Sequence, residues 1–211
     1  MSSDKKNEDC FYPNRWPRII LETTEDIVGK NAVTALLNMA DLSQYINNYP
    51  ADNMKKEFSF EDVGKLQQAY WDMYGPRGAR AFAIRAGTKT LNDGIERFGK
   101  VALAARAAMK IGSVERRMSI GLEFFAKFFN AVSDQKVSVE EDDDHWYWKI
   151  QVCPMCTGRT TETPVCHLAV GVLNGAFQNF VNKSARYRIN PTHCQAMGHE
   201  EGIIMIDKEP M

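Results

Sequence analysis

The chain has 211 residues, of which 44% are hydrophobic and 25% charged, as is typical of one globular domain. This composition argues against a collagenous, disordered or disulfide-dense protein. With 26 Lys and Arg against 27 Asp and Glu, the formal net charge is -1, which disfavours binding to nucleic acid or anionic lipid.

The first residues are polar and lack the apolar segment of a signal peptide, so we expect a cytoplasmic protein. Residues 1–17 show no apolar period and contain Pro13 and Pro17. They predict a flexible tail that precedes a single domain over residues 18–211.

Helical periodicity then extends over about residues 23–133, the helical part of the predicted domain. Thr23 and Ser59, each followed three residues later by Asp, predict helix starts. Pro76 starts a longer helix that ends near Gly99. A further helix is predicted over residues 100–110.

The next helix, capped by Ser113, is apolar on more than one side and must be covered by a sheet, a subunit or a ligand. Large rings concentrate here and on the strands that follow: Phe124, Phe125, Phe128, Trp146 and Trp148. They are either ordinary core or the lining of a pocket for an apolar ligand.

After Ser133 the period changes from helical to alternating. Strands are predicted over residues 136–140, 145–152, 185–189 and 202–206, with a helix starting at Thr163 between the second and third. The sequence therefore predicts an α+β fold: N-terminal helices packed on a mostly antiparallel sheet, with a C-terminal β-β-α-β-β order in a β-rich, metal-binding part over about residues 134–207. The uncharged stretch in this part contains His and Asn, which favours a buried helix over a membrane span.

Four of the 5 cysteines lie in this C-terminal part: Cys153, Cys156, Cys166 and Cys194. The Cys153-Pro-Met-Cys156 pair directly follows a strand, where a zinc knuckle places two thiolates. The four thiols predict a closed, structural site for zinc, or alternatively iron. Two readings remain open: a redox-active Cys-x-x-Cys pair, and cysteines that act only as small buried hydrophobes.

Four other side chains are alternative ligands for such an ion: His167, His193, His199 and Glu162. Because four cysteines already complete a tetrahedron, we expect these residues not to bind the ion. No Ser-His-Asp arrangement, metalloprotease motif or nucleotide-binding loop is present. We therefore predict no catalytic residue and expect a protein that is not an enzyme.

The C-terminal third resembles the 4-vinyl reductase domain family. The resemblance lies in Gly171-x-x-x-Gly175-Ala176 and in the step Cys194-x-Ala196-x-Gly198 before the last strand, where His199 takes the place of a common Asp. It implies a ligand-binding fold shared with nitric-oxide sensors and with subunits of vesicle-tethering complexes. It also implies a homodimer, a small apolar ligand, and Cys166 and Cys194 as ligands of a C-terminal zinc ion.

Three functions follow as alternatives. The first is a sensor or carrier of a small hydrophobic molecule, with a structural cysteine-ligated zinc ion. The second is an enzyme or accessory factor that acts on a vinyl group of a tetrapyrrole in bacteriochlorophyll synthesis. The third is a scaffold subunit without a ligand, whose Phe-rich helix packs against a partner.

Overall fold

A computed structural model describes residues 9–108, 112–180 and 186–211 of the chain. The N-terminal part of the chain is mainly helical, and the C-terminal part forms a four-stranded sheet. In chain order they are β1 (Phe11–Pro13), α1 (Arg15–Val28), α2 (Lys30–Met39), β2 (Lys56–Ser59), α3 (Phe60–Arg97), α4 (Gly99–Ala108), α5 (Val114–Val132), β3 (Lys136–Glu141), β4 (His145–Val152), α6 (His167–Phe180), β5 (Tyr187–His193) and β6 (Gly202–Pro210).

The predicted tail is wrong over residues 11–17. Tyr12 lies in β1, which pairs with β2, and Trp16 lies in the first turn of α1; both are buried in the core. Pro17 is compatible with this helix because a proline in the first turn gives up no intrahelical hydrogen bond. Thr23 does not start a helix, because it lies in the middle of α1, where its hydroxyl donates to Asp93 of α3.

The predicted starts of two later helices are confirmed by their caps. The Ser59 hydroxyl accepts a hydrogen bond from the Asp62 amide at 3.0 Å, and the Ser113 hydroxyl accepts one from Arg116. Helix α3 bends at Gly75, where φ is 66°, and Pro76 then restarts it. In the region predicted as a helix over residues 100–110, α4 ends at Ala108 and residues 109 and 110 lie outside the described residues.

The C-terminal sheet has four antiparallel strands in the order β3-β4-β6-β5, with α6 between β4 and β5 in the chain. The predicted α+β class is confirmed. Helix α6 begins at His167 and not at Thr163, because the chain before it forms the loop that carries Cys166 to the other cysteines. Of the strand predicted over residues 185–189, residue 185 lies outside the described residues, and β5 extends to His193.

Helices α3 and α6 pack against each other at backbone distance. A Cβ atom on Gly87 would lie 2.2 Å from the carbonyl oxygen of Leu168, and one on Gly171 would lie 2.2 Å from that of Ile84. Glycine is therefore required at both positions. The contact fixes α6 between the helices and the sheet. Among the described residues, no helix has the length and apolarity needed to cross a bilayer.

Candidate metal centre and apolar cavities

Two loops bring the four predicted cysteines together at one end of the sheet. The first, called the knuckle here, comprises residues 153–159 and follows β4; the second contains Cys194 and links β5 to β6. In the knuckle, the Cys156 amide donates to the Cys153 carbonyl at 3.2 Å and the Thr157 hydroxyl donates to the same carbonyl. This tight turn aims both thiols inward, towards Cys166 at the start of α6.

Four of the six distances between the sulfur atoms are close to those of a tetrahedral metal site. Cys166 Sγ lies 3.7 Å from Cys153 Sγ, 3.5 Å from Cys156 Sγ and 3.8 Å from Cys194 Sγ, and the sulfurs of Cys156 and Cys194 are 3.4 Å apart. Four sulfur ligands about 2.3 Å from one zinc ion would lie about 3.8 Å from each other. All four thiols are buried and free of disulfides. Cys153, Cys156 and Cys166 form a group that can hold a metal ion; Cys194 contacts Cys156 and Cys166 but is not part of this group.

The electrostatics of the cluster favour a thiolate. Burial raises the pKa of Cys153, but hydrogen bonds from Cys156 and Cys166 outweigh it and lower the pKa of this thiol overall. Hydrogen bonds to the other three thiols raise the pKa of Cys166, which keeps its proton as the donor. Burial lowers the pKa of the nearby Arg159, while all four cysteines oppose this shift by stabilising its charge. A cationic side chain thus balances the negative charge of the sulfurs.

The side chain of Gln195 joins the two loops. Its carbonyl oxygen accepts from the Cys153 amide at 3.0 Å, and its amide nitrogen donates to the carbonyls of Gln151 at 3.0 Å and Glu200 at 2.9 Å. Gln195 was not predicted as part of the site. Its position next to Cys194 is the available signal, because residues adjacent to a ligand often orient it.

The four alternative ligands are placed around the cluster and not in it. No His or carboxylate of the described residues shares the group formed by Cys153, Cys156 and Cys166. Glu162 is exposed, and the His193 ring packs against the His199 ring. His199 Nδ1 lies 3.2 Å from the Cys194 amide and 3.1 Å from its carbonyl oxygen. Burial, together with Arg80, lowers the pKa of His167 to about 4, so its imidazole is neutral.

Two apolar cavities, each with a volume of about 30 Å³, lie in the core, one among the helices and one between the helices and the sheet. The helical cavity is surrounded by side chains of α1, α3, α4, α5 and α6 and by Phe98 between α3 and α4. The sheet cavity adjoins β1, β4 and α6. Both are lined by the same three rings, Trp16, Phe125 and Phe129, which we call the aromatic wall. The rings of Trp16 and Phe129 meet edge to face at 5.4 Å.

Four of the five rings predicted to line a pocket surround these cavities. Phe124, Phe125 and Phe128 line the helical cavity, and Trp148, like Phe125, lines the sheet cavity. Trp146 lines neither of the two. It is fully buried under α5, where its indole N–H donates to the Ser119 hydroxyl at 2.9 Å. The prediction missed Tyr12 and Trp16, because both were assigned to the tail.

The sheet cavity adjoins the cysteine cluster through two elements. Met155, which lies between Cys153 and Cys156, lines this cavity. Leu168 and Val172 line it from α6, the helix that begins directly after Cys166. The segments that hold three of the four thiols therefore form one side of the cavity as well.

Comparison with known protein families supports the resemblance found in this part of the sequence. Residues 146–202 match the model of the 4-vinyl reductase domain, which confirms the resemblance to that family over the matched region. This match covers β4, the knuckle, α6, β5 and Cys194. Among curated proteins, no match to the sequence was found.

The whole fold is similar to that of H-NOX domains, which are nitric-oxide-sensing haem domains. A structure from a study of haem distortion in the H-NOX family has 9% sequence identity and a TM-score of 0.61, and the alignment covers 94% of this chain and 96% of that one. The H-NOX protein from S. oneidensis in the Fe(II)NO state has 14% identity and a TM-score of 0.57, with coverage of 92% and 98%. An oxygen-binding H-NOX domain related to soluble guanylate cyclases has 10% identity and a TM-score of 0.58, with coverage of 91% and 93%. These likenesses show a common fold.

The residues around the cavities do not fit a haem group. None of the four histidines, His145, His167, His193 and His199, lines either cavity. Tyr12 is an unsuitable axial ligand, because burial raises its pKa well above the ordinary value and its phenol donates a hydrogen bond to Gln135. Cavities of about 30 Å³ are also far too small for a macrocycle.

Proposed function

We propose that this protein binds a small apolar ligand between its helices and its sheet, as a sensor or carrier, and that a structural zinc ion held by Cys153, Cys156, Cys166 and Cys194 stabilises the binding site. The observation that carries the proposal is the shared position of the two sites: Met155 of the knuckle and the first turns of α6 line the sheet cavity. The small-ligand-binding fold of the H-NOX neighbours supports it.

Zinc fits the cluster because all four donors are sulfur and are buried, and four of the six sulfur–sulfur distances are nearly tetrahedral. Four sulfur donors leave no open position, so the ion would serve the structure and not a reaction. Iron is the other metal that four thiolates accept. Elemental analysis of the purified protein separates the two. We expect about one zinc per chain, and a metal-free protein with a Cys153–Cys156 disulfide would contradict the proposal.

Ligand binding requires the aromatic wall to move. A cavity of about 30 Å³ has room for about one water molecule, whereas an engineered apolar cavity that admits benzene has about 150 Å³. Phe125 separates the two cavities and packs on Phe180, with ring centroids 5.5 Å apart. Displacement of this ring would join the helical and sheet cavities into one site lined almost entirely by carbon.

Truncation of the wall tests this requirement directly. In Phe125→Ala we expect the cavities to merge, so that ethylbenzene binds at least tenfold more tightly than to the wild type, although the protein itself is destabilised by about 3 kcal/mol. Phe124→Ala is the matched control, because Phe124 lines the helical cavity alone. Titration calorimetry gives both affinities. Equal affinities in the wild type and in Phe125→Ala would contradict the proposed site.

The tetrapyrrole alternative is less well supported, since the cavities are small and apolar and the aromatic wall divides them. A cytoplasmic location is part of the proposal: four thiols this close together stay reduced in a reducing compartment and would oxidise outside it. The homodimer stays a prediction, which analytical ultracentrifugation tests.

A further inference from the structure

The lining of the sheet cavity is mainly apolar but includes the carboxamide side chain of Gln135. Gln135 is 4% exposed and lines the cavity next to Trp148 and Met155. Its side-chain oxygen accepts a hydrogen bond from the Tyr12 phenol at 2.8 Å. This contact holds the carboxamide in one orientation.

The amide nitrogen of the same side chain makes no hydrogen bond to a described residue. It is not among the fully buried unpartnered atoms, so it keeps accessible surface and can accept a new partner. A donor without a partner beside an apolar cavity gains a hydrogen bond when a ligand supplies an acceptor. Burial raises the pKa of Tyr12, so its phenol stays protonated and needs an acceptor. The Gln135 carboxamide therefore cannot turn its oxygen away without leaving this phenol unpaired.

We propose that Gln135 is the polar anchor of the binding site and selects ligands that carry a hydrogen-bond acceptor on an apolar ring. This inference rests on the proposed function. The carboxamide would donate to a carbonyl or ether oxygen, while Trp148 and the aromatic wall contact the ring. Tyr12 is the positioning residue, because it fixes which end of the amide faces the ligand. Charged ligands are excluded, because no described residue that lines the sheet cavity carries a counter-charge.

A matched pair of probes isolates this hydrogen bond. Acetophenone and ethylbenzene have similar shapes, but only acetophenone has an acceptor oxygen. Their affinities are measured by titration calorimetry on the full chain for the wild type and for Gln135→Met, which keeps the length of the side chain and removes the amide. For each protein we take the ratio of the acetophenone affinity to the ethylbenzene affinity. Comparing this ratio between the wild type and the variant removes the contribution of the different hydrophobicity of the two probes. We expect the preference for acetophenone to fall at least fivefold in Gln135→Met.

A second measurement needs no variant. In the wild type, the side-chain amide protons of Gln135 should exchange with solvent more slowly when acetophenone is bound than when ethylbenzene is bound, because only acetophenone accepts a hydrogen bond from them. If both probes bind and the affinity ratio is the same in Gln135→Met, the anchor is wrong and the proposed function stands. If neither probe binds the wild type or Phe125→Ala, the proposed function fails and the anchor fails with it.

Discussion

The cysteine cluster and the apolar cavities lie side by side but are built by opposite means. Directional contacts fix the cluster: neighbouring sulfurs lie 3.4 to 3.8 Å apart, and Gln195 binds three backbone groups around them. Apart from the Tyr12–Gln135 hydrogen bond, the cavities are bounded mainly by contacts between apolar side chains, such as Phe129 edge to face against Trp148 at 6.3 Å. Contacts of the second kind constrain geometry less than hydrogen bonds do.

This difference assigns separate roles to the two regions. On the proposed function, a rigid cluster would hold the knuckle and the start of α6 in place, and the aromatic wall would move to admit a ligand. Substitutions in the cluster should therefore affect stability and metal content first. Substitutions in the wall should affect ligand affinity first.

Loss of one thiol from the cluster should have the largest effect. Cys166 lies within 3.8 Å of the other three sulfurs, so Cys166→Ser removes the ligand with most neighbours. Because metal binding and folding are coupled at such sites, we expect the bound zinc to fall from about one per chain to almost none and the melting temperature to drop by more than about 10 °C. Cys10→Ser, which lies outside the cluster, is the control. Retention of zinc in Cys166→Ser, measured by mass spectrometry, would contradict the assigned ligands.

The second-largest effect on stability is expected at the contact between α3 and α6. In Gly171→Ala the new Cβ would lie 2.2 Å from the Ile84 carbonyl, so α3 and α6 must separate. We expect a loss of about 3 kcal/mol in the free energy of unfolding, measured in urea. Gly99→Ala is the matched control, because nothing lies within 4 Å of its Cβ and alanine favours a helix. Similar stabilities of the two variants would mean that the helices are not held at backbone distance.

A smaller effect is expected from Gln195. Gln195→Ala removes three hydrogen bonds, one to the knuckle at Cys153, one to β4 at Gln151 and one within its own loop at Glu200, but leaves all four thiols. Zinc affinity should therefore fall about tenfold to a hundredfold without a loss of stoichiometry. Gln151→Ala controls for the substitution, since the Gln151 side chain makes a single exposed contact with Ser138. Competition with a chelator measures both affinities. Unchanged affinity in Gln195→Ala would show that the loops are held by the metal and the cysteines alone.

The same difference explains what the sequence could predict. The proposed metal ligands could be predicted from the sequence because thiols are rare and their spacing is local, and the strands before and after them follow from the alternation of apolar and polar residues. The lining of the cavities could be predicted only in part. Phe124, Phe125 and Phe128 lie on one helix with a clear apolar period, whereas Tyr12 and Trp16 lie in a segment with two prolines and no such period. Gln135 carries no local signal and Gln195 only its position next to Cys194, because their roles depend on partners distant in the chain, Tyr12 and Cys153.

The central claim is that the metal holds one side of the ligand site, and one titration tests it most directly. Acetophenone affinity is measured for the zinc-loaded protein, for the protein after chelator treatment and after zinc is returned, with circular dichroism to verify that the chain stays folded. We predict that chelation weakens binding at least tenfold and that zinc restores it. By reciprocity, acetophenone should slow the loss of zinc. Equal affinity of the folded protein with and without zinc would contradict the account.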